Sequence, residues 1–254
     1  NNWNPVNLQV TESTAASFNA SLSSTPFSDG SASAISITNN GSITTTSAGS
    51  NSFNISNAAS FSGGSASGLT LGSSVNRTGL YTVDVYLKPT LAQQSRFLTN
   101  ESGITGNNVG AVGQGLYVGT DGSLACADYG DPTLAPAGSL TANAWHHIRI
   151  IANGTSVLGC WVNGSAKTTT GSIKNFAANT ALRVGWGETG VSHSFAGLIG
   201  PVRIVLANLG APVSGGLVTS GGAIPNNAYT PSVATGNDSL VDSPTNGSAS
   251  SGAD

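Results

Sequence analysis

The amino-acid sequence predicts an all-β protein, either a sandwich or a jelly roll. Several short runs alternate apolar and polar residues, which is the pattern of strands with one buried face. Asn-Gly and Asp-Gly pairs separate such runs and are strong local signals for β-hairpins. No long window has helical periodicity. With 254 residues, of which 38% are hydrophobic, the chain is long enough to bury one sizeable sandwich core.

Residues 1–52 are predicted to form an extended N-terminal segment with short strands. Pro5 cannot donate a backbone hydrogen bond, so the first residues fit only the edge of a sheet. Residues 33–37 and 42–45 alternate weakly on either side of Asn39-Asn40-Gly41. This arrangement predicts a hairpin in which the two strands pair with each other.

Residues 81–89 give the clearest strand of the first half. The apolar residues of this run share one face: Tyr81, Val83, Val85 and Leu87. The other face carries Thr82, Asp84, Tyr86 and Lys88, so we expect a half-buried strand that Pro89 ends. Shorter strands are predicted at 96–99, 116–118 and 124–126, and Asp121-Gly122 forms the turn between the last two.

The block from residue 145 to 209 contains the densest set of predicted strands. Runs at 145–150 and 158–162 flank Asn153-Gly154, a second turn follows at Asn163-Gly164, and further runs cover 181–186 and 195–204. In the strand 157–163, Leu158, Cys160 and Val162 are expected to face the core and Trp161 the opposite side. We expect the sandwich to span residues 53–210. Gly and Pro interrupt the pattern beyond it, so residues 211–254 are predicted to be a tail or linker.

The composition narrows the function classes. Charged residues make up 7% of the chain, against roughly 25% in average soluble domains, and hydroxyl and amide side chains replace them. Such surfaces are common on extracellular β-proteins and viral appendages.

The net charge of −3 gives no electrostatic attraction to nucleic acid. No apolar run reaches the roughly 18 residues of a membrane-spanning helix, so we expect no membrane insertion. The chain lacks Met, and we expect a processed piece of a longer protein.

The two cysteines, Cys126 and Cys160, are expected to be buried free thiols. If residues 124–127, 146–152 and 157–163 form a meander, the cysteines lie on strands separated by a third strand. Neighbouring strands are about 4.8 Å apart, so the two Cα atoms would be about 10 Å apart, beyond the reach of a disulfide.

Five signatures in order resemble the strands of laminin-G-like domains, which belong to the concanavalin A-like lectin/glucanase superfamily. The signatures are residues 81–89, residues 116–118 with the turn at 121–124, residues 145–148, residues 161–164 and residues 195–204. The resemblance covers roughly residues 53–209. It implies a two-sheet antiparallel jelly roll.

The same resemblance implies a calcium ion, bound by Asp and Asn oxygens on loops at one rim of the sandwich. The candidate ligands are Asp128, Asp131, Asn107 and Asn108. The alternative is that Asp128 and Asp131 only form turns, because Asp accepts local backbone hydrogen bonds. No other cofactor is expected.

The two ends of the chain carry a second resemblance. Asn1-Asn2-Trp3-Asn4-Pro5 and residues 236–246 resemble segments that recur in phage virion and tail-fibre-like proteins. The resemblance implies a virion context, with other virion or appendage subunits as partners. We also expect a homo-oligomer.

The sequence offers no pair of carboxylates for glycoside hydrolysis. A retaining glycosidase needs two carboxylates about 5–5.5 Å apart. The three glutamates, Glu12, Glu101 and Glu188, have no other carboxylate two to four positions away, and Asp84 is alone on its strand. The expectation is a protein that is not an enzyme.

The histidines give only weak signals for a metal site. His146 and His147 are adjacent on a strand, so they point to opposite faces and cannot chelate one metal together. One of them is expected to pack at a sheet edge or to hydrogen-bond across strands. Glu188 with His193 is a weak hint of a metal site in a loop.

Exposed aromatic rings are the candidates for glycan binding, because an aromatic face can stack on the apolar face of a pyranose. Trp161 is the predicted platform, with Tyr86 and Tyr129 as its partners. The alternative is that Trp161 packs in the core or between subunits.

These observations favour a non-enzymatic module on a virion surface, in a phage fibre or as a capsid decoration, or otherwise outside the cell. It would bind a host-surface receptor or glycan. One alternative is a purely structural appendage subunit whose sheet edges pair with neighbours. Another is a lectin-like adhesin domain of a bacterial cell surface.

Overall fold

A computed structural model describes twelve stretches of the chain. They are residues 16–21, 27–29, 35–41, 43–53, 55–64, 67–76, 79–100, 115–127, 133–153, 156–169, 179–186 and 193–212.

These stretches contain sixteen β-strands and no helix, which confirms the predicted all-β class. The first eight are β1 (Ala16–Ser21), β2 (Ser28–Asp29), β3 (Ile37–Asn40), β4 (Thr44–Ser47), β5 (Asn57–Ser62), β6 (Gly68–Asn76), β7 (Tyr81–Pro89) and β8 (Ser95–Asn100). The others are β9 (Gly115–Val118), β10 (Leu124–Ala127), β11 (Thr133–Ala135), β12 (His146–Ala152), β13 (Val157–Val162), β14 (Ser165–Ala166), β15 (Asn179–Val184) and β16 (Ala196–Val205). In the part of the chain so described, a search for helices long and apolar enough to cross a membrane finds none.

The strands pair antiparallel in two sheets that form a jelly-roll sandwich. The large sheet has nine strands, in the order β14-β13-β12-β7-β16-β1-β2, and β5 with β4 also joins β16. The small sheet has seven strands, in the order β11-β10-β9-β8-β15-β6-β3. One apolar core lies between the sheets, with residues such as Val83 and Ile148 from the large sheet and Leu98 and Leu182 from the small one.

Strand β16 holds the large sheet together. One side of β16 pairs with β7 along most of its length. The other side pairs with β5 through residues 196–199 and with β1 through residues 202–205. Segments that are distant in the sequence therefore meet on this one strand.

The chain crosses between the two sheets at Asn39-Asn40-Gly41, so the hairpin predicted there is wrong. β3 pairs with β6 in the small sheet, whereas β4 pairs with β5 in the large sheet. Asn39 shapes the crossing, because its Oδ1 accepts a hydrogen bond from Ile43 N at 2.9 Å and its Nδ2 donates to Ile43 O at 2.6 Å. Gly41 has a φ of 84°, which favours glycine.

Strands β1 to β4 precede residue 53 and are hydrogen-bonded within the two sheets. Part of the predicted N-terminal segment 1–52 thus belongs to the sandwich. Of the predicted tail, residues 213–254 lie outside the described part of the chain.

The hairpins of the block after residue 145 match the sequence pattern. β12 pairs with β13, and β13 pairs with β14. Asn163 and Gly164 have φ values of 53° and 79°, as a two-residue type I′ turn requires.

Both cysteines are buried and free, as predicted, but the reasoning from a meander is wrong. Cys126 lies on β10 in the small sheet, and Cys160 lies on β13 in the large sheet. The loop between β11 and β12 carries the chain from the small sheet to the large one.

The large sheet has a third layer on its outer face, which the sequence did not predict. We call residues 48–53, 55–56 and 206–212 the cover. Ala48, Phe53, Ile55 and Leu209 of the cover form a second apolar cluster with Tyr86, Trp145 and Val205 of the sheet side. Trp145 Nε1 donates to Ala48 O at 2.9 Å and ties the cover to the start of β12. Both faces of β7 are therefore buried, although half-burial was predicted.

Candidate functional site

Trp161 lies on the outer face of the large sheet, as the alternation predicts. Its neighbours in the chain, Cys160 and Val162, are buried in the core between the sheets. Its cross-strand neighbours are Arg149 on β12 and Ala166 on β14. The indole is partly exposed, so Trp161 lies where the cover no longer shields the sheet.

The six-membered ring of Trp161 lies over the backbone of Gly159, two residues earlier on the same face of β13. The edge of the ring that Cη2 and Cζ3 form thus meets the strand at Gly159.

Leu158 does not face the core, in contrast to the prediction. The register between β12 and β13 shifts between Ile151 and Ala152, as in a β-bulge. The extra residue breaks the alternation, and Leu158 is 52% exposed. It adds an exposed apolar side chain to the same strand as Trp161.

A row of charged residues continues from Trp161 across the large sheet. Arg149 on β12, Asp84 on β7 and Arg203 on β16 are successive cross-strand neighbours. Arg149 Nε donates to Asp84 Oδ1 at 2.8 Å, and Arg149 Nη2 donates to Asp84 Oδ2 at 3.2 Å. Arg203 Nη2 donates to Asp84 Oδ2 at 3.0 Å. All three side chains are buried beneath the cover.

Asp84 is held in its ionised form. Burial by itself would raise the pKa of Asp84, but Arg149, the hydrogen bond from His147 and Arg203 outweigh it and keep the pKa well below its ordinary value of 3.8. His147 Nε2 lies 3.0 Å from Asp84 Oδ1. Burial also lowers the pKa of His147, so the neutral ring donates this hydrogen bond. A carboxylate fixed in this way cannot act as a general acid near neutral pH.

Tyr86 is not a binding partner for Trp161, and this prediction is corrected. Its ring stacks on His147 with 4.7 Å between the ring centroids. Phe53 of the cover packs edge-on against it at 5.2 Å. Tyr86 is 0% exposed, because the cover closes over this part of the sheet. Tyr129, the other predicted partner, lies outside the described residues.

His146 and His147 point to opposite faces and belong to separate networks, as predicted. Thr141 N donates to His146 Nε2 at 2.9 Å, and Asn163 Nδ2 lies 3.2 Å from His146 Nδ1. Burial, with a smaller effect of Lys167, lowers the pKa of His146. His147 makes the expected cross-strand hydrogen bond, to Asp84.

The predicted calcium ligands Asp128, Asp131, Asn107 and Asn108 lie outside the described residues, and so does Glu188. Within the described stretches, no three or more His, Cys, Asp or Glu side chains are grouped so as to hold a metal ion. The calcium ion stays a prediction of the resemblance.

Trp186 is a second partly exposed tryptophan, which was not predicted from the sequence, and it lies just past the end of β15 on the small sheet. The guanidinium carbon of Arg183 lies 4.4 Å from the centroid of its ring, a cation–π contact. Thr99 Oγ1 donates to Trp186 O at 3.4 Å. The signal in the sequence is Gly185, which follows β15 with a φ of 71° and interrupts the strand before Trp186.

The buried charges were also missed. Their signal in the sequence is that Asp84, Arg149 and Arg203 interrupt three of the most apolar strands of a chain that has few charges. A charged residue in an apolar strand can face solvent or be buried in an ion pair. The sequence pattern alone does not distinguish these two positions.

Comparison with solved structures shows related folds. One is domain 4 of AbnA, a GH43 extracellular arabinanase from Geobacillus stearothermophilus, in complex with arabinotriose. It is 17% identical with a TM-score of 0.51, and the match covers 85% of this chain and 96% of that domain. Another is the receptor-binding domain of botulinum neurotoxin C/D mosaic serotype, 13% identical with a TM-score of 0.54, covering 76% of this chain and 48% of that one. The chain thus spans about half the length of this neurotoxin domain.

At these identities the structural likeness shows the fold alone. No curated protein matches the chain in sequence. A family model described as the concanavalin A-like lectin/glucanases superfamily matches residues 61–212, which is more than half of the chain and includes Trp161. The chain belongs to the concanavalin A-like lectin/glucanase superfamily.

Proposed function

We propose that this chain is a non-enzymatic binding module that holds a glycan, or a receptor that carries one, against Trp161. The observation that carries the proposal is the partly exposed indole on the outer face of the large sheet, resting on the backbone of Gly159. A ring held against a rigid sheet can stack on the apolar face of a sugar at little cost in side-chain entropy.

The family and the related folds support this proposal. The superfamily is named for lectins as well as glucanases. The arabinanase domain was solved with arabinotriose, and the neurotoxin domain is described as receptor-binding. One description thus names a sugar as the ligand and the other a receptor.

The positions of two carboxylates support a function without catalysis. Asp84 is sealed under the cover and paired with Arg149 and Arg203. Asp121 lies in the turn between β9 and β10 at the end of the other sheet, where its Oδ1 accepts a hydrogen bond from Ser123 N at 2.9 Å. Within the described stretches, neither of them forms the close pair of carboxylates that a retaining glycosidase requires.

We further propose that the module is displayed outside the cell on a virion, as part of a phage fibre or capsid decoration, with virion subunits and further copies of itself as partners. The support comes from the weakly charged surface and from the resemblance of both ends of the chain to phage virion segments. In this setting the ligand is a host-surface glycan.

The test is a glycan array that includes arabinotriose, probed with the full chain and with two matched variants. Trp161→Ala should abolish binding, whereas Trp186→Ala, which removes the partly exposed tryptophan of the small sheet, should retain it. Loss of binding in Trp186→Ala alone would move the site to the small sheet and overturn the proposal. Release of reducing sugar from a bound polysaccharide by the purified chain would overturn the non-enzymatic part.

Binding of no glycan by the unaltered chain would favour the alternative of a purely structural appendage subunit. The location is tested separately, by searching purified phage particles and bacterial cell envelopes for the chain with an antibody. Recovery in the envelope and not in particles would favour a bacterial cell-surface adhesin.

A further inference from the structure

We infer that Gly159 is the positioning residue of the Trp161 platform: the missing side chain at this position leaves room for the far edge of the indole over β13 and so fixes the surface that the ring presents. This inference rests on the proposed function for its role in binding. Its structural part stands on the geometry of the strand.

The space above Gly159 is filled by the indole. A Cβ atom built on Gly159 would overlap Cη2 and Cζ3 of Trp161, and it would lie 3.1 Å from Cζ2. All three atoms belong to the six-membered ring. The ring therefore occupies the volume that any side chain at position 159 would need.

The backbone of β13 does not itself require glycine at this position. Gly159 is not among the glycines with positive φ, and it pairs with Ile151 within the ladder of β12 and β13. Glycine weakens a strand, because it loses more backbone entropy on folding and has no side chain to pack. The structural reason for glycine here is the close approach of the ring.

The two cross-strand neighbours of Trp161 differ in how far they can yield to the ring. Arg149, on β12, is fixed by Asp84 and by a hydrogen bond from its Nη1 to Gly210 O at 3.2 Å. Ala166, on β14, is small and exposed. A side chain at position 159 would therefore displace the indole away from Arg149, towards the small Ala166 or into solvent.

Gly159→Ala should leave the fold intact and change the orientation of the Trp161 indole. We expect the affinity for a glycan found on the array to fall by roughly tenfold or more, a smaller effect than the loss of binding expected for Trp161→Ala. Gly64→Ala is the matched control, since Gly64 has ordinary space around its Cβ position and no positive φ. This control should bind like the unaltered chain.

The orientation of the ring can be measured without any ligand. With 5-fluorotryptophan at the four tryptophans, the fluorine resonance of Trp161 is assigned by its loss in Trp161→Phe. We expect this resonance to move in Gly159→Ala and to stay in place in Gly64→Ala. An unmoved resonance in Gly159→Ala would overturn the inference.

A double-mutant cycle gives a second check that does not depend on binding. Gly159→Ala should lower Tm in the unaltered chain but leave it unchanged or raise it in Trp161→Ala, where the ring is gone. Equal shifts in both backgrounds would contradict a direct conflict between residue 159 and the indole. If Trp161→Ala binds glycan normally, the proposed function fails while the resonance and the cycle still decide the role of Gly159.

Discussion

Arg149 and Asp84 face each other across β12 and β7 in a two-point ion pair that solvent does not reach. The two hydrogen bonds measure 2.8 Å from Nε to Oδ1 and 3.2 Å from Nη2 to Oδ2. Arg149 also donates through Nη1 to Gly210 O, so the pair anchors the cover to the sheet. Burying an ion costs several kcal/mol unless its hydrogen bonds are satisfied, and the whole network must therefore be kept together.

Replacing Asp84 by Asn should destabilise the fold by about 3–5 kcal/mol, because it leaves Arg149 and Arg203 buried without a countercharge. The measurement is equilibrium unfolding in urea, followed by tryptophan fluorescence. Asp121→Asn is the control: this exposed carboxylate should change the free energy of unfolding by no more than about 0.5 kcal/mol. Similar effects of both changes would contradict the assigned role of the network.

The free energy of unfolding should decline as the pH falls below about 6.5. Burial lowers the pKa values of His146 and His147 from their ordinary value of 6.5. The unfolded chain then binds protons at a higher pH than the folded chain, so stability is complete above pH 6.5 and is lost on acidification. Asp84, whose pKa is depressed, adds a second loss below its ordinary 3.8, where the unfolded chain takes up a proton first.

The pH dependence is measured by urea unfolding at a series of pH values. His146→Gln should flatten the part of the curve just below pH 6.5. If the free energy of unfolding of the unaltered chain stayed constant from pH 7 to pH 5, this would contradict the burial of neutral histidines.

Gly197→Ala should destabilise the large sheet by more than about 2 kcal/mol, for two reasons that add. Gly197 has a φ of 137°, a conformation that strains any residue with a side chain, and its Cβ would overlap Lys88 O on β7. Thermal unfolding followed by circular dichroism measures the effect, with Gly64→Ala as the comparison. An unchanged Tm would show that β16 and β7 are not as close here as the structure has them.

The two thiols should be unreactive in the folded protein. Cys126 and Cys160 are buried in the core, and burial raises the pKa of Cys160 to about 12, so little thiolate forms. We expect no reaction with Ellman's reagent from pH 7 to pH 9 until denaturant is added, and then two equivalents. Rapid reaction of one equivalent in the native protein would contradict this burial.

The strands of the second half were predictable because their alternation is strict. Tyr81–Pro89 appears as one strand with the predicted bounds. The direction in which Trp161 points follows from the same alternation. The turn at Asn163-Gly164 was predictable because this pair of residues favours the positive φ values that the turn requires. These features depend on local sequence, so a single chain is enough to infer them.

Features that depend on distant segments were not predictable. β3 and β4 look like a hairpin locally, yet each pairs with another strand, because Ile35 and Ile43 complete the common core from its two sides. Tyr86 looks solvent-facing, since nothing in its own strand indicates that the cover folds over it. The outward direction of Trp161 could be expected from its own strand. The burial of Tyr86, which removes it as a binding partner, could not, because it depends on the distant cover.

The position of β16 has a consequence for biosynthesis. A ribosome releases β1, β5 and β7 long before Ala196–Val205, the strand to which all three bind, has left the exit tunnel. Until then these early strands present open edges, the kind of surface that chaperones shield in nascent chains. Completion of the large sheet thus waits for β16, and fragments that stop upstream of this strand should accumulate as inclusion bodies.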